Sequence, residues 1–291
     1  MSLRLWLSAL AVGLVAQACV PPEPSNDRIV RYDPETTAMG EIQQTGEIVI
    51  GIPDDVLPFG FVDETSGEPR GFLVDLARDV AAALGVEATL VAESSGDLLA
   101  LIDRGELDIA FPASPVTEQR FRERAYTTPY YVAHQRLLVP PGSRIDRVDD
   151  LGGVTVCSYA DEATGVNLTT LNPAVEVIRV TSVDACEVML QQGRAAAVSA
   201  PDLFLISLLD TAPADYEIVG PQINTEGYSG VVQLGRRGLA GFVNSVMSEA
   251  EVEGRWNEWY ERWISPLTGS TEVEPPALEA EEAAALYPIG R

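Results

Sequence analysis

The sequence contains no lysine: its 19 basic residues are all arginine, set against 44 Asp and Glu, for a formal net charge of −25. A chain this acidic is repelled by nucleic acid and by anionic lipid surfaces, and no basic stripe offsets the repulsion. The charge reads as a solubility feature or an adaptation to salt. Histidine is reduced to His134, and the three cysteines, Cys19, Cys157 and Cys186, stand far apart. That inventory lacks the close pairs a metal site needs, so no metal and no cofactor are expected. Without lysine, general acid–base chemistry would fall to carboxylates such as Asp161, Glu162 and Asp202, which form no evident pair. No apolar run is long enough to cross a bilayer as a helix; the longest, over 5–16, stops short of the roughly 20 residues required.

What is present suffices for a folded protein of some size. The 291 residues, 46% of them hydrophobic, leave room for two ordinary domains with packed cores. Residues 1–18 carry one charge, Arg4, ahead of the apolar run and end Ala16-Gln17-Ala18 before Cys19, the pattern of a cleaved export signal. Cys19 followed by Val20-Pro21-Pro22-Glu23-Pro24 also fits lipidation of that cysteine, with 19–44 as a flexible tether. A plain secreted protein is the other reading. Either way the chain is exported, to the periplasm or cell surface, and touches membrane only through the N-terminal lipid. With Cys19 lipidated, Cys157 and Cys186 remain as an even pair in an oxidising compartment, either a disulfide or two buried thiols.

From residue 47 onward the pattern alternates strand and helix. A short apolar strand over 48–52 leads through a Pro/Gly loop to a helix over 71–84, with Phe72, Leu76, Val80, Ala83 and Leu84 on one face and Gly85 as its stop. Strands over 88–91 and 107–111 flank a helix over 97–104. A strand over 136–139 ends at Pro140-Pro141-Gly142-Ser143, after which the rhythm restarts: strands over 154–157, 175–180 and 196–199 alternate with helices from about 161, over 183–192 and over 202–209. A strand over 228–234 and helices over 239–251 and 254–263 close the fold. The last helix carries Trp256, Trp259, Tyr260 and Trp263, read as a packing face. Residues 266–291 are an acidic Ala/Pro-rich tail. Two similar α/β halves imply mainly parallel sheets covered by helices, with ligands beyond the carboxyl ends of the strands.

Several motifs, in order and at matching spacing, resemble the extracellular solute-binding proteins of family 3, the polar-amino-acid binders of ABC importers. They are Pro58-Phe59-Gly60-Phe61, Gly71-Phe72, Val74-Asp75-Leu76, the stretch over 101–110, Thr117-Glu118-Gln119-Arg120, Thr128-Pro129-Tyr130-Tyr131 and the Trp-rich terminal helix. The resemblance implies a two-lobed venus-flytrap fold. Lobe 1 would comprise 45–135 and 226–265, lobe 2 would comprise 136–225, and binding would be hinge closure of a monomer. It places Arg120 where the family grips a ligand carboxylate, a task suited to a planar guanidinium. The family's hydroxyl five residues earlier is replaced by Pro115; Ser114 could substitute, with Ala113 offering backbone groups. Asp54 joins the candidate set, and Phe59 is either a wall of the site or a core residue. The family's ammonium-binding Asp aligns with Pro201; Asp202 either takes the role or caps its helix, and Asp161 is equally ambiguous. The function implied is capture of a small carboxylate-bearing solute, an amino acid foremost, for an ABC permease. The alternatives are a transporter-independent accessory or sensor, and, further off, a dehydratase-like enzyme on the same fold.

Overall fold

The computed structural model describes residues 29–268, apart from 117, 160, 161, 181, 182 and 213. The signal, Cys19 and the acidic tail beyond 268 lie outside the described residues. Among the described residues, eleven strands form one eight-stranded sheet and a small three-stranded one, flanked by ten α-helices.

The chain enters through α1 (Ala38–Thr45), within the stretch read from sequence as tether. Residues 38–44 are therefore not a free linker. Met39 and Ile42 are buried, and the Gln43 amide donates to the Leu84 carbonyl at 3.0 Å while its oxygen accepts from the Tyr32 N–H. Eight residues with two buried apolar side chains are too few to show a helical period, which is why the pattern was silent. The Thr37 hydroxyl caps the helix by accepting from the Gly40 N–H at 3.0 Å. Losing such a cap typically costs about 1 kcal/mol. Thr37→Ala should therefore lower the unfolding free energy by that amount in a urea titration; no change would return this segment to the status of a tether.

β1 (Glu47–Pro53) buries Ile48, Ile50 and Ile52 completely. A hairpin-like sheet of β2 (Asp55–Val56), β3 (Gly60–Val62) and β4 (Pro69–Arg70) follows, unforeseen because its strands are only two or three residues long. α2 (Phe72–Leu84) begins at Gly71, whose φ of +126° and contact with the Phe59 carbonyl, 2.5 Å from where a Cβ would stand, admit only glycine. Next come β5 (Glu87–Glu93), α3 (Ser95–Arg104), β6 (Ile109–Ala110) and α4 (Glu118–Glu123).

Two long strands then tie the molecule together: β7 (Arg124–Val139) and, much later, β11 (Glu217–Gln233). Between them lie β8 (Thr155–Tyr159), α5 (Glu162–Leu171), β9 (Glu176–Val180), α6 (Val183–Gln191), β10 (Ala197–Pro201) and α7 (Asp202–Thr211). After β11 come α8 (Arg237–Glu253), α9 (Arg255–Trp263) and α10 (Ser265–Thr268). The strand order is β5-β1-β6-β11-β7-β10-β8-β9. β5, β1 and β6 are mutually parallel in the first lobe and β10, β8 and β9 in the second; β11 and β7 join them by antiparallel pairing. The two lobes thus share one continuous sheet. The sequence had shown only the ends of the joining strands, over 136–139 and 228–234.

The first lobe's core is aromatic. Trp256 and Trp259 of α9 are buried, with Phe72 edge-on at 4.9 and 6.2 Å, which bears out the packing-face reading. In the second lobe Cys157 of β8 and Cys186 of α6 are joined by a disulfide, with Cα atoms 5.4 Å apart. Gln135, fully buried on β7, donates to the Thr164 carbonyl and the Ser199 hydroxyl, each at 2.9 Å, and accepts from the Asn167 amide at 2.8 Å. One polar side chain thereby binds the joining strand to α5 and β10.

Candidate functional site

Strand direction locates the site. β6 runs antiparallel to β11 and β10 antiparallel to β7, while β7 and β11 oppose each other. The carboxyl ends of the two parallel sets therefore face one another across the joining strands. Open α/β sheets bind ligands beyond such ends.

On the first-lobe side the segment after β6 is fastened down. Pro112 accepts from the Tyr130 hydroxyl at 2.9 Å, and the Val116 N–H donates to Gly227 of β11 at 3.1 Å. Arg120, half-buried on α4, folds back onto this segment: Nη1 donates to the Ser114 hydroxyl at 2.5 Å and to the Pro115 carbonyl at 2.8 Å. Arg120, Ser114 and the buried Ala113 are therefore brought together, with the guanidinium held by two acceptors. The replacement of the family's hydroxyl by Pro115 leaves that position a carbonyl, which Arg120 uses.

Asp54 and Asp55 sit at the carboxyl end of β1. Loss of hydration, then the charges of Asp54 and of Asp184 on α6, hold the Asp55 carboxyl above its ordinary range. Tyr159, at the end of β8, is likewise raised by loss of hydration and then by Asp55 and Asp184. Acidic groups of both lobes thus lie within electrostatic reach of one another. Asp55, Asp184 and Tyr159 were not singled out from sequence; nothing in their local pattern distinguishes them from other polar residues at the ends of elements. Phe59, by contrast, is fully buried against Tyr131, ring centroids 4.7 Å apart, and belongs to the core. Asp161 lies outside the described residues.

Asp202 opens α7, and its carboxylate turns toward β7. Oδ1 accepts from the His134 N–H at 3.1 Å and from the Tyr131 hydroxyl at 3.4 Å. His134 lies on the joining strand β7, half-buried, with its Nδ1 3.1 Å from the Thr225 hydroxyl of β11. Desolvation of Asp202 outweighs the hydrogen bonds from His134, Leu203 and Tyr131 and the attraction of Arg136, raising its pKa from 3.8 to about 6. The folded state then holds a proton that the unfolded state releases between those values, so this group's contribution favours folding below pH 3.8 and is lost as pH rises through 6. Asp202→Asn should match the parent protein near pH 4 and be more stable by about 2–3 kcal/mol near pH 7, in paired thermal melts. Equal stability of the two proteins at pH 7 would contradict a desolvated carboxylate here. A second buried carboxylate, Glu226 of β11, accepts from the Tyr228 hydroxyl at 3.2 Å and the Asn224 amide at 3.3 Å. Sequence reasoning missed it, since a lone Glu within a strand gives no periodic signal.

Among the described residues, no helix is long and apolar enough to cross a membrane. The family model for bacterial extracellular solute-binding proteins, family 3, matches residues 48–266. The chain is 28% identical over 262 residues to the ABC transporter glutamine-binding protein of Bacillus subtilis (strain 168), covering 89% of this chain and 94% of that one. It is 24% identical over 236 residues to an L-cystine-binding protein of Escherichia coli (strain K12), covering 78% and 85%. Among solved structures, the arginine-bound form of ArgBP from T. maritima is 29% identical, with a TM-score of 0.61 over 72% of this chain and 98% of that one. A cysteine-binding protein from Campylobacter jejuni, at 21% identity and a TM-score of 0.68 over 84% and 98%, shares the fold. With its two parallel strand sets facing each other across paired joining strands, the chain belongs to the bacterial extracellular solute-binding proteins, family 3.

Proposed function

We propose that this protein captures an amino acid between its lobes by hinge closure and delivers it to the permease of an ABC importer. The observation that carries the reading is Arg120. Its guanidinium is held by Ser114 and the Pro115 carbonyl beyond the end of β6, a placement suited to gripping a carboxylate. The acidic groups across the site, Asp54, Asp55 and Asp184, supply the complementary potential for an ammonium group. Glutamine, cystine and arginine in the names of similar proteins support an amino acid as the ligand class. Export with Cys19 lipidated, a tether reaching to α1 and a monomeric state complete the proposal.

The test is a thermal-shift screen of the purified protein against the proteinogenic amino acids, cystine and small dicarboxylates. A ligand that binds only the native state at a hundred times its Kd raises stability by about 2.7 kcal/mol, a displacement easily seen in a melt. The reading expects at least one amino acid to give it. Silence across the whole panel at millimolar concentration would refute amino-acid capture.

A further inference from the structure

We propose that Asp202 is a positioning residue of the hinge, setting the angle between the lobes, and not a contact for the ligand's ammonium group. The inference rests on the hinge-closure reading above. A single carboxylate oxygen stands where three parts of the molecule meet. It belongs to α7 of the second lobe and accepts from Tyr131 and His134 of the joining strand β7. Tyr131 is in turn fixed on the other side, its ring packed against the fully buried Phe59 of the first lobe. His134 reaches the second joining strand through Thr225. The chain Phe59–Tyr131–Asp202 therefore runs from one lobe's core to the other lobe's helix through a single hydrogen bond.

The surroundings argue for this role over ligand contact. A carboxylate lining an open cleft keeps its water; Asp202 has lost enough of it to raise its proton affinity despite three hydrogen-bond donors and a neighbouring arginine, Arg136. The groups facing it are Tyr131, His134 and Arg136 of β7, while Tyr131 also senses Tyr260 of α9. A family-style ammonium contact would have come from position 201, which is proline here, at the end of β10.

Asparagine can still accept both hydrogen bonds but carries no charge, whereas alanine accepts neither. That difference separates the two roles. Spin labels at Glu64→Cys and Gln192→Cys, exposed positions on opposite lobes, report the inter-lobe distance by pulsed electron resonance in the ligand-free protein; the background carries Cys19→Ser. Asp202→Ala should shift and broaden the distance distribution, Asp202→Asn should keep the parental one, and Tyr131→Phe should move it part of the way. Tyr131→Phe removes one hydroxyl only and serves if Asp202→Ala does not fold. In calorimetry with L-glutamine, L-arginine and L-cystine as probes, Asp202→Ala should weaken whichever binds by about tenfold, through a smaller closure-competent fraction, while Asp202→Asn binds as the parent does. An unchanged distribution in both Asp202→Ala and Tyr131→Phe overturns the inference. Loss of binding in Asp202→Asn, with distances intact, assigns Asp202 to the ligand instead. Should none of the three probes bind the parent protein, that excludes those three ligands and leaves amino-acid capture to the full panel above, while the distance distributions still decide the role of Asp202.

Discussion

Arg120→Ala should abolish the thermal shift given by any amino acid that stabilises the parent protein. Truncating one partner of a desolvated, hydrogen-bonded charge pair typically costs about 2–5 kcal/mol, roughly 30- to 5,000-fold in affinity. Arg120→Lys should recover little of this. A lysine keeps the charge but lacks the planar fork that pairs with a carboxylate through two parallel hydrogen bonds. The same variants separate binding from folding, because the melting temperature without ligand should move by only a few degrees: Arg120 is half-buried on the short helix α4. The check is calorimetric titration of parent, Ala and Lys proteins with the stabilising amino acid. Retained affinity in Arg120→Ala would remove the guanidinium from the site.

Opening the Cys157–Cys186 bond should cost about 3–4 kcal/mol, the loop-closure entropy expected for a sequence separation of 29. For a protein of this size that corresponds to a fall of roughly 10 °C in melting temperature. Melts with and without a phosphine reductant measure it, and a Cys157→Ser, Cys186→Ser protein should be insensitive to the reductant. The consequence extends to the site. β8 ends at Tyr159, which senses Asp55, and α6 begins beside Asp184, whose charge acts on Asp55; the disulfide is the covalent link between those elements. Reduction should therefore also weaken amino-acid binding. A melt unaffected by reductant would show that the bond contributes nothing to the stability of the native lobe.

The alternation of strand and helix was legible because each element is long enough to repeat its period. α2 shows its apolar face over thirteen residues and stops at a glycine, as read. Where pattern was short, or shared between neighbours, it failed. α1 has two buried apolar side chains, and β2, β3 and β4 have two or three residues each. The joining strands were seen only in part, since half of β11 is half-buried or exposed and reads as loop. In the site, Arg120, Ser114 and Ala113 could be placed together because they lie within eight residues of each other. Phe59 and Asp202 could not be resolved from sequence, because core against wall, or hinge against ligand, is decided by which distant strand they face. Tyr131 shows this most plainly: it was one letter of a motif until Phe59 and Asp202 were found on either side of it.

The pairing of β11 with β7 jumps from Val219, opposite Leu137, to Asn224, opposite Gln135. Four residues on one strand are thus set against one on the other, and Gly220 within that excess presses so near the Asp146 carbonyl that a Cβ would lie 2.4 Å from it. The two ropes of this bridge carry their slack at opposite ends: β11 has its spare residues beside Gln135, while β7 has its own nearer the first lobe, where Tyr130 is unmatched and Thr127 and Thr128 oppose Gly230. Neither rope is taut along its whole length, and bulk added at Gly220 would meet the Asp146 carbonyl and take up the slack on the β11 side alone.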